Sequence, residues 1–290
     1  MSAPDVWVIF GPTGSGKTEL SLRLAEAIGG EIINLDSMQI YREIAIGTAK
    51  PTPQEMARVP HHLFDIVSVS QDFTVADYQA LARRAINDIR SRGHQPILVG
   101  GTGLYLSALY YDFDFREPTE RSRQAEITPE TLKAWEGKVD LNNPRRLNRA
   151  ILTGRAHQRS ERVRSALDFL IVWLDWPREE LHRRIEQRTD QMMAQGLLEE
   201  VRHLRENFSL TDTSSAAKGI GYKELTAFLD GRTDLAQAIE RIKIHTRQYA
   251  KRQMTWVRHQ YEQVHRLDAT LGVDHLVNEI QRLGGVLNEE

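Results

Sequence analysis

The stretch VWVIFGPTGSGKTELSLRLAEAIG, near the N-terminus, limits this chain more than any other. Gly11, Pro12, Thr13, Gly14, Ser15, Gly16, Lys17 and Thr18 fit the pattern G-x-x-x-x-G-K-[ST]. Such a loop grips phosphate through backbone amides and a helix N-terminus, so it needs a strand before it and a helix after it. Both are present. Val6–Phe10 is a β-branched and aromatic run of the kind found in buried parallel strands. Over 18–28, Leu20, Leu24, Ala27 and Ile28 recur at helical spacing, and Gly29-Gly30 ends the helix. Lys17 adds a point charge, and the Thr18 hydroxyl is suited to Mg²⁺. Most chains with this loop hold ATP or GTP. The loop alone leaves open which diphosphate it holds here.

The rest of the chain continues the alternation. Strands are expected over 31–35, with Asp36 just past the end, over 96–99, and over 169–174. Helices are expected over 73–92, after the glycine turn at 100–103, and over 178–206, 221–230, 234–260 and 272–284. Everything after the 169–174 strand reads as helix. Between 112 and 166 strand signals vanish and charge rises, which predicts a small helical insertion. The fold class is therefore α/β: a P-loop NTPase-like parallel sheet core, a helical insertion and a helical C-terminal region. The expected divisions are 1–111, 112–166 and 167–290.

Composition matters at three points. No apolar run is long enough for a signal segment or a membrane span. Cysteine is absent, which excludes disulfides and thiolate metal sites and suits the cytosol. The net charge of −2 hides a division. Residues 121–164 hold 11 Lys/Arg against 5 Asp/Glu, and residues 241–266 hold 7 against one Glu. A polyanionic partner would explain these clusters, and so would solvated helix faces.

The candidate chemical groups surround the loop. Nucleoside triphosphatases usually place an acid after a second hydrophobic strand. Here PILV runs into Gly100-Gly101-Thr102-Gly103 instead. Asp36 is followed by Ser37, Met38, Gln39, Ile40 and Tyr41. One carboxylate beside a phosphate cradle, then uncharged groups, suits a neutral acceptor; a helix N-cap or a magnesium acid fits the same residues. The helix with Arg183, Arg184 and Arg188 offers either a cationic lid for a leaving phosphate or a solvated face with Glu–Arg pairs. Arg247, Lys251, Met254 and Arg258 form a largely basic stripe with Tyr249 and Trp256 nearby, which fits a nucleic-acid backbone or a solvated surface. The histidines, His61-His62 included, lack ligand spacing, so no zinc site is expected.

Nine segments in order resemble the tRNA dimethylallyltransferases, also called tRNA isopentenyltransferases. They are GPTGSGKTELS, IINLDSMQIYREIAIGTAKPT, PHHLFDIV, FTVADYQ, PILVGGTGLYLSAL, NNPRRLNRAI, LHRRIEQRTDQMM, GIGYKEL and RQYAKRQMTWVR, spanning residues 8 to 258. The resemblance implies transfer of a dimethylallyl group from dimethylallyl diphosphate to N6 of the adenosine 3′ to the anticodon, with Mg²⁺ as cofactor. It implies that the loop holds a prenyl diphosphate rather than ATP. It makes Asp36 the base, with Thr13 and Arg188 also functional. It assigns tRNA contacts to Asp36, Ser37, Met38, Gln39 and Thr102. Further contacts fall to Arg145, Arg146 and Arg149, to Lys218 and Lys223, and to Lys251, Arg252 and Arg258. Arg121 matches a further tRNA-contacting arginine, with Arg123 competing, because the chain between 112 and 144 is shorter than the family pattern. The partner is then a tRNA anticodon stem-loop, and a cytoplasmic monomer of bacterial type is expected. Three other classes remain to be tested against it. An adenylate isopentenyltransferase would use free AMP or ADP, a P-loop small-molecule kinase would move phosphate from ATP, and a non-catalytic RNA-binding ATPase module would prenylate nothing.

Overall fold

The computed structural model describes residues 3–113, 115, 125–141, 144–153, 163–208 and 216–287. Its centre is a six-stranded sheet. β1 (Val6–Phe10), β2 (Gly30–Leu35), β3 (His61–His62), β4 (Gln95–Gly100), β5 (Phe169–Asp175) and β6 (His265–Asp268) lie in the order β3-β2-β4-β1-β5-β6. Every pairing is parallel. β1 is central and wholly buried, as its unbroken apolar run requires. Its register sets Phe10 opposite Gly100 on β4 and opposite Trp173 on β5. Leu35 of β2 also lies opposite Gly100. The C-terminal ends of β1, β2, β4 and β5 therefore share one edge, where an open parallel sheet builds its sites.

The helices follow the expected alternation. α1 (Lys17–Ile28) packs on one face together with α11 (Val273–Leu283), around Trp7, Ile9, Leu20, Leu24, Val172 and Ile280. α2 (Pro53–Met56) and α3 (Val75–Ser91) both begin at threonine capping boxes. α4 (Gly103–Tyr110) follows the glycine turn. A second core lies beneath the 38–50 segment. It joins Ile40, Tyr41 and Ile44 to α7 (Arg178–Ala194), α8 (Leu197–Phe208), α9 (Tyr222–Leu229) and α10 (Leu235–Gln260) through Met192, Val201, Tyr222 and Ile242.

Two expectations need correction. The region after β5 is not all helix, because β6 extends the sheet at 265–268. Its sequence, HRLD, buries only Leu267, so it carries no readable alternation and forms because β5 offers an open edge. The helix expected over 178–206 breaks at Gly196, whose φ of +100° leaves the helical region and separates α7 from α8.

The chain forms two compact units, one of residues 1–110 with 166–290 and the other of residues 111–165. The second holds α5 (Pro129–Trp135), with a Thr128 capping box, and α6 (Pro144–Thr153). Among the described residues, no helix is long and apolar enough to cross a membrane.

Candidate active site

The loop after β1 is built as its glycines allow. Gly14 and Gly16 take φ of +77° and +87°, which an L side chain adopts at a cost. A Cβ on Gly11 would come 2.9 Å from Ser15 Oγ, so the loop closes on itself tightly. Among the described residues, the buried Ser15 hydroxyl has no partner. Lys17 folds back and donates to the carbonyls of Gly11 (2.9 Å) and Pro12 (2.7 Å). Burial, together with the Arg188 guanidinium, lowers its ammonium from the ordinary 10.5 to about 7, and Asp36 opposes that shift.

α7 lines the loop from across the edge. Trp176, just before α7, donates its indole N–H to the Ser15 carbonyl (3.0 Å), and its ring lies 4.3 Å beneath the Arg184 guanidinium. Arg184 donates to the Gly14 carbonyl (2.8 Å). One helical turn on, Arg188 is close enough to Lys17 and Asp36 for their charges to interact. Burial holds its guanidinium below the usual arginine value. Its Nε is buried without a partner among the described residues, and its Nη2 donates to the Thr48 carbonyl at 3.3 Å. Arg183 differs: it pairs with Glu180 (2.6 Å) on the solvent side, the plain surface alternative.

Asp36 leaves β2 with its backbone held by Asn34, which accepts from the Asp36 N–H (2.9 Å) and donates to its carbonyl (3.0 Å). The Asp36 carboxylate accepts the Met38 N–H (2.8 Å) through Oδ1. No helix starts here, so the N-cap alternative gives way to an Asx-type turn, which leaves Oδ2 for another donor. Thr102 accepts the Ser37 N–H (3.0 Å), and its own N–H goes to the Leu35 carbonyl (3.1 Å). That link requires Gly100, where a Cβ would meet the Leu35 carbonyl oxygen at 2.3 Å. Gln39 donates its amide to the Thr48 and Ala49 carbonyls (3.0 and 3.2 Å).

α10 closes the site. Gln253 donates to the Gly101 carbonyl (2.9 Å), and a Cβ on Gly101 would collide with it. Tyr249 lies near Thr102 and Asp36, and burial and the Asp36 charge push its phenol well above the usual value, so it keeps its proton. Trp256 donates to Ser107 (3.3 Å) and covers Gly103.

The sequence candidates thus sort by position. Lys17, Asp36 and Arg188 form one electrostatic group, with the loop 11–18 on one side and Ser37–Gln39 and Thr102 on the other. Gly219, next to Lys218, lies against Met38, where a Cβ would come 2.5 Å from Cε. Lys223 pairs with Glu224 (3.5 Å). Lys251, Arg252 and Arg258 are exposed on α10. Arg247, of the same stripe, is tied to Glu186 (2.6 Å) and Glu240 (3.3 Å). Arg145, Arg146 and Arg149 belong to α6 of the second unit. Arg121 and Arg123 lie outside the described residues. Sequence reasoning missed Asn34, Trp176, Arg184's tie to Gly14, Glu200 and Gln253. Asn34 had a signal, as the one amide inside an apolar strand; the others are met only across the fold.

Comparison with known proteins agrees with this fold. The sequence profile of the family described as IPP transferase matches residues 39–260. The tRNA dimethylallyltransferase of Geobacillus thermodenitrificans is 45% identical over 276 residues, 87% of each chain. The full-length tRNA isopentenylpyrophosphate transferase of Bacillus halodurans superposes with a TM-score of 0.77 at 36% identity, covering 96% of this chain and 94% of that one. A eukaryotic dimethylallyltransferase, captured acting on tRNA, gives a TM-score of 0.80 at 29% identity, covering 98% and 81%.

Proposed function

This chain belongs to the IPP transferase family, and from that premise we infer its reaction: transfer of a dimethylallyl group from dimethylallyl diphosphate to a tRNA adenosine. The acceptor is N6 of the adenosine 3′ to the anticodon. One observation carries the reading for this chain's own residues. The Asp36 carboxylate shares its surroundings with Lys17 and Arg188, so a proton acceptor and an anion cradle meet at one point.

The chemistry follows from that pairing. An adenine amino group is a weak nucleophile, because its lone pair is delocalised into the ring. As N6 bonds to the allylic carbon, the bond from that carbon to the diphosphate oxygen breaks. The N6 proton passes to Asp36, and diphosphate leaves with the electron pair. Asp36 is held by Met38 N–H and Asn34, so it need not reorganise. Thr13, Lys17, Arg188 and the loop amides meet charge growing on the leaving oxygen. Gly11 to Thr18 would hold the diphosphate. Mg²⁺ suits this donor set. Thr18 would supply one hydroxyl. Its other ligands would be diphosphate oxygens and water, as Mg²⁺ prefers, and it would neutralise leaving-group charge.

The target base must leave its loop stack to reach Asp36. Asp36, Ser37, Met38, Gln39 and Thr102 would receive it. Lys218, Lys223, Lys251, Arg252, Arg258 and the α6 arginines would hold the RNA backbone. The protein would act as a monomer, in the cytoplasm where its tRNA resides.

The direct test mixes the protein with dimethylallyl diphosphate, Mg²⁺ and unmodified tRNA, then digests the RNA for mass analysis. A five-carbon gain on one adenosine is expected. Prenylation of AMP instead, or γ-phosphate transfer from ATP, would replace this reading with the adenylate or kinase alternative. The exposed stripe gives a second expectation. Lys251→Glu with Arg258→Glu should weaken tRNA binding and lower the log–log salt slope by roughly 1.5, two phosphate contacts' worth. A filter-binding titration over several salt concentrations measures it, and an unchanged slope would make the stripe a solvated face.

A further inference from the structure

Glu200 is not part of the chemistry above, yet its carboxylate has more backbone partners than any group in the loop. It sits in the first turn of α8, where a negative charge is favoured. Oε2 accepts the N–H groups of Ala45 (2.9 Å) and Ile46 (2.8 Å). Oε1 accepts the Gly47 N–H (3.1 Å) and the Tyr222 hydroxyl (2.7 Å). Three successive amides thus converge on one carboxylate, the arrangement of an anion nest. Burial and the Glu200 charge hold the Tyr222 phenol well above its usual value, so it remains a donor to Oε1. Gly47 is required here, since a Cβ would meet the Tyr222 hydroxyl at 2.5 Å.

The other face of the same turn points into the site. The Thr48 carbonyl accepts both the Gln39 amide (3.0 Å) and Arg188 Nη2 (3.3 Å). The Arg188 bond is the one its side chain makes among the described residues. The turn is also strained, with Ala49 at φ +44°. What holds the turn therefore holds the guanidinium.

We propose that Glu200, supported by Tyr222, is a positioning residue for the transfer reaction: it fixes the 45–48 turn whose Thr48 carbonyl aims Arg188 and Gln39. The proposal rests on the function inferred above. Glu200→Gln keeps the volume but turns an amide NH₂ toward amide donors, so the nest loses its match. Misplacing Arg188 by a fraction of an ångström should lower kcat for tRNA prenylation by roughly 10–100-fold. It should also weaken inorganic diphosphate binding by about 3–10-fold. Tyr222→Phe, which removes one bond of four, should move both in the same direction by about 3-fold.

The deciding measurement is a double-mutant cycle with Arg188→Ala, read by prenylation kinetics and by calorimetry of inorganic diphosphate. In the Arg188→Ala background, Glu200→Gln should change diphosphate binding by less than about 2-fold and lower the prenylation rate by less than in the wild-type background, the remainder passing through Gln39. A purely structural role predicts the same loss in either background, and that result would overturn the proposal. So would an unchanged wild-type-background rate with a lowered melting temperature. If Glu200→Gln does not fold, the Tyr222→Phe cycle decides between the same two outcomes. Diphosphate calorimetry needs neither tRNA nor turnover. A wild-type protein that fails to prenylate therefore refutes the function, while the coupling through Glu200 is still measured.

Discussion

Asp36→Asn should lower single-turnover prenyl transfer by about 10²–10⁴-fold while leaving dimethylallyl diphosphate binding within a few-fold. The substitution is nearly isosteric. Its Oδ1 can still accept the Met38 N–H, so the turn after β2 should keep its shape. What is lost is the ability to take the N6 proton. The carboxylate also steadies the charge of Lys17, yet its removal subtracts a negative charge from an anion site. The two effects on diphosphate oppose each other, and neither approaches the loss in rate. Rapid-quench transfer and calorimetric binding, run on the same preparation, separate them. If both fall together, Asp36 is holding the site together rather than accepting a proton.

Lys17 should make diphosphate binding depend on pH in a definite direction. In the free protein its ammonium titrates near 7, against an ordinary value of 10.5. A bound diphosphate would favour the charged form. Binding at pH 8 should therefore take up nearly one proton, and affinity should fall by up to about tenfold per pH unit above 7. Calorimetry in buffers of different ionisation heat counts the proton. Lys17→Met should abolish the uptake and weaken binding by about 10²-fold, the loss of a charge-assisted contact in a dry site. The same depression has a consequence for folding. The unfolded chain holds the Lys17 proton up to 10.5 and the folded chain only to about 7. Between those values the unfolded state binds more protons, so this group's contribution to stability rises with pH there and is flat below. A Lys17→Met protein should lack that rise. Proton uptake that persists in Lys17→Met would assign the titration to the ligand alone.

How far the sequence carried this reading depends on the range of each interaction. β1, the loop and α1 are written in adjacent residues, because an apolar run, positive-φ glycines and a 3.6-residue repeat are local properties. β4 and β5 were legible for the same reason. β6 was not, since HRLD has no strand signal without β5 beside it. The Arg183–Arg184–Arg188 helix shows the same limit. Its composition allows a lid or a solvated face, and the structure uses both: Arg183 pairs with Glu180, while Arg184 reaches Gly14. The α10 stripe divides likewise, since Arg247 is neutralised by Glu186 and Glu240 while Lys251 and Arg258 stay exposed.

By itself, then, the sequence determined the phosphate cradle, the α/β class and the carboxylate at the end of β2. Each depends on neighbours within a few residues of chain. Only the tertiary structure decided that Asp36, Lys17 and Arg188 feel one another's charge, that Gln253 and Tyr249 close over the glycine turn, and that Glu200 grips the turn behind Arg188. These contacts join residues far apart in the chain. Electrostatics and hydrogen bonds act over a few ångströms of space whatever the sequence separation, so packing of α7, α8 and α10 against one edge of the sheet had to bring them together first.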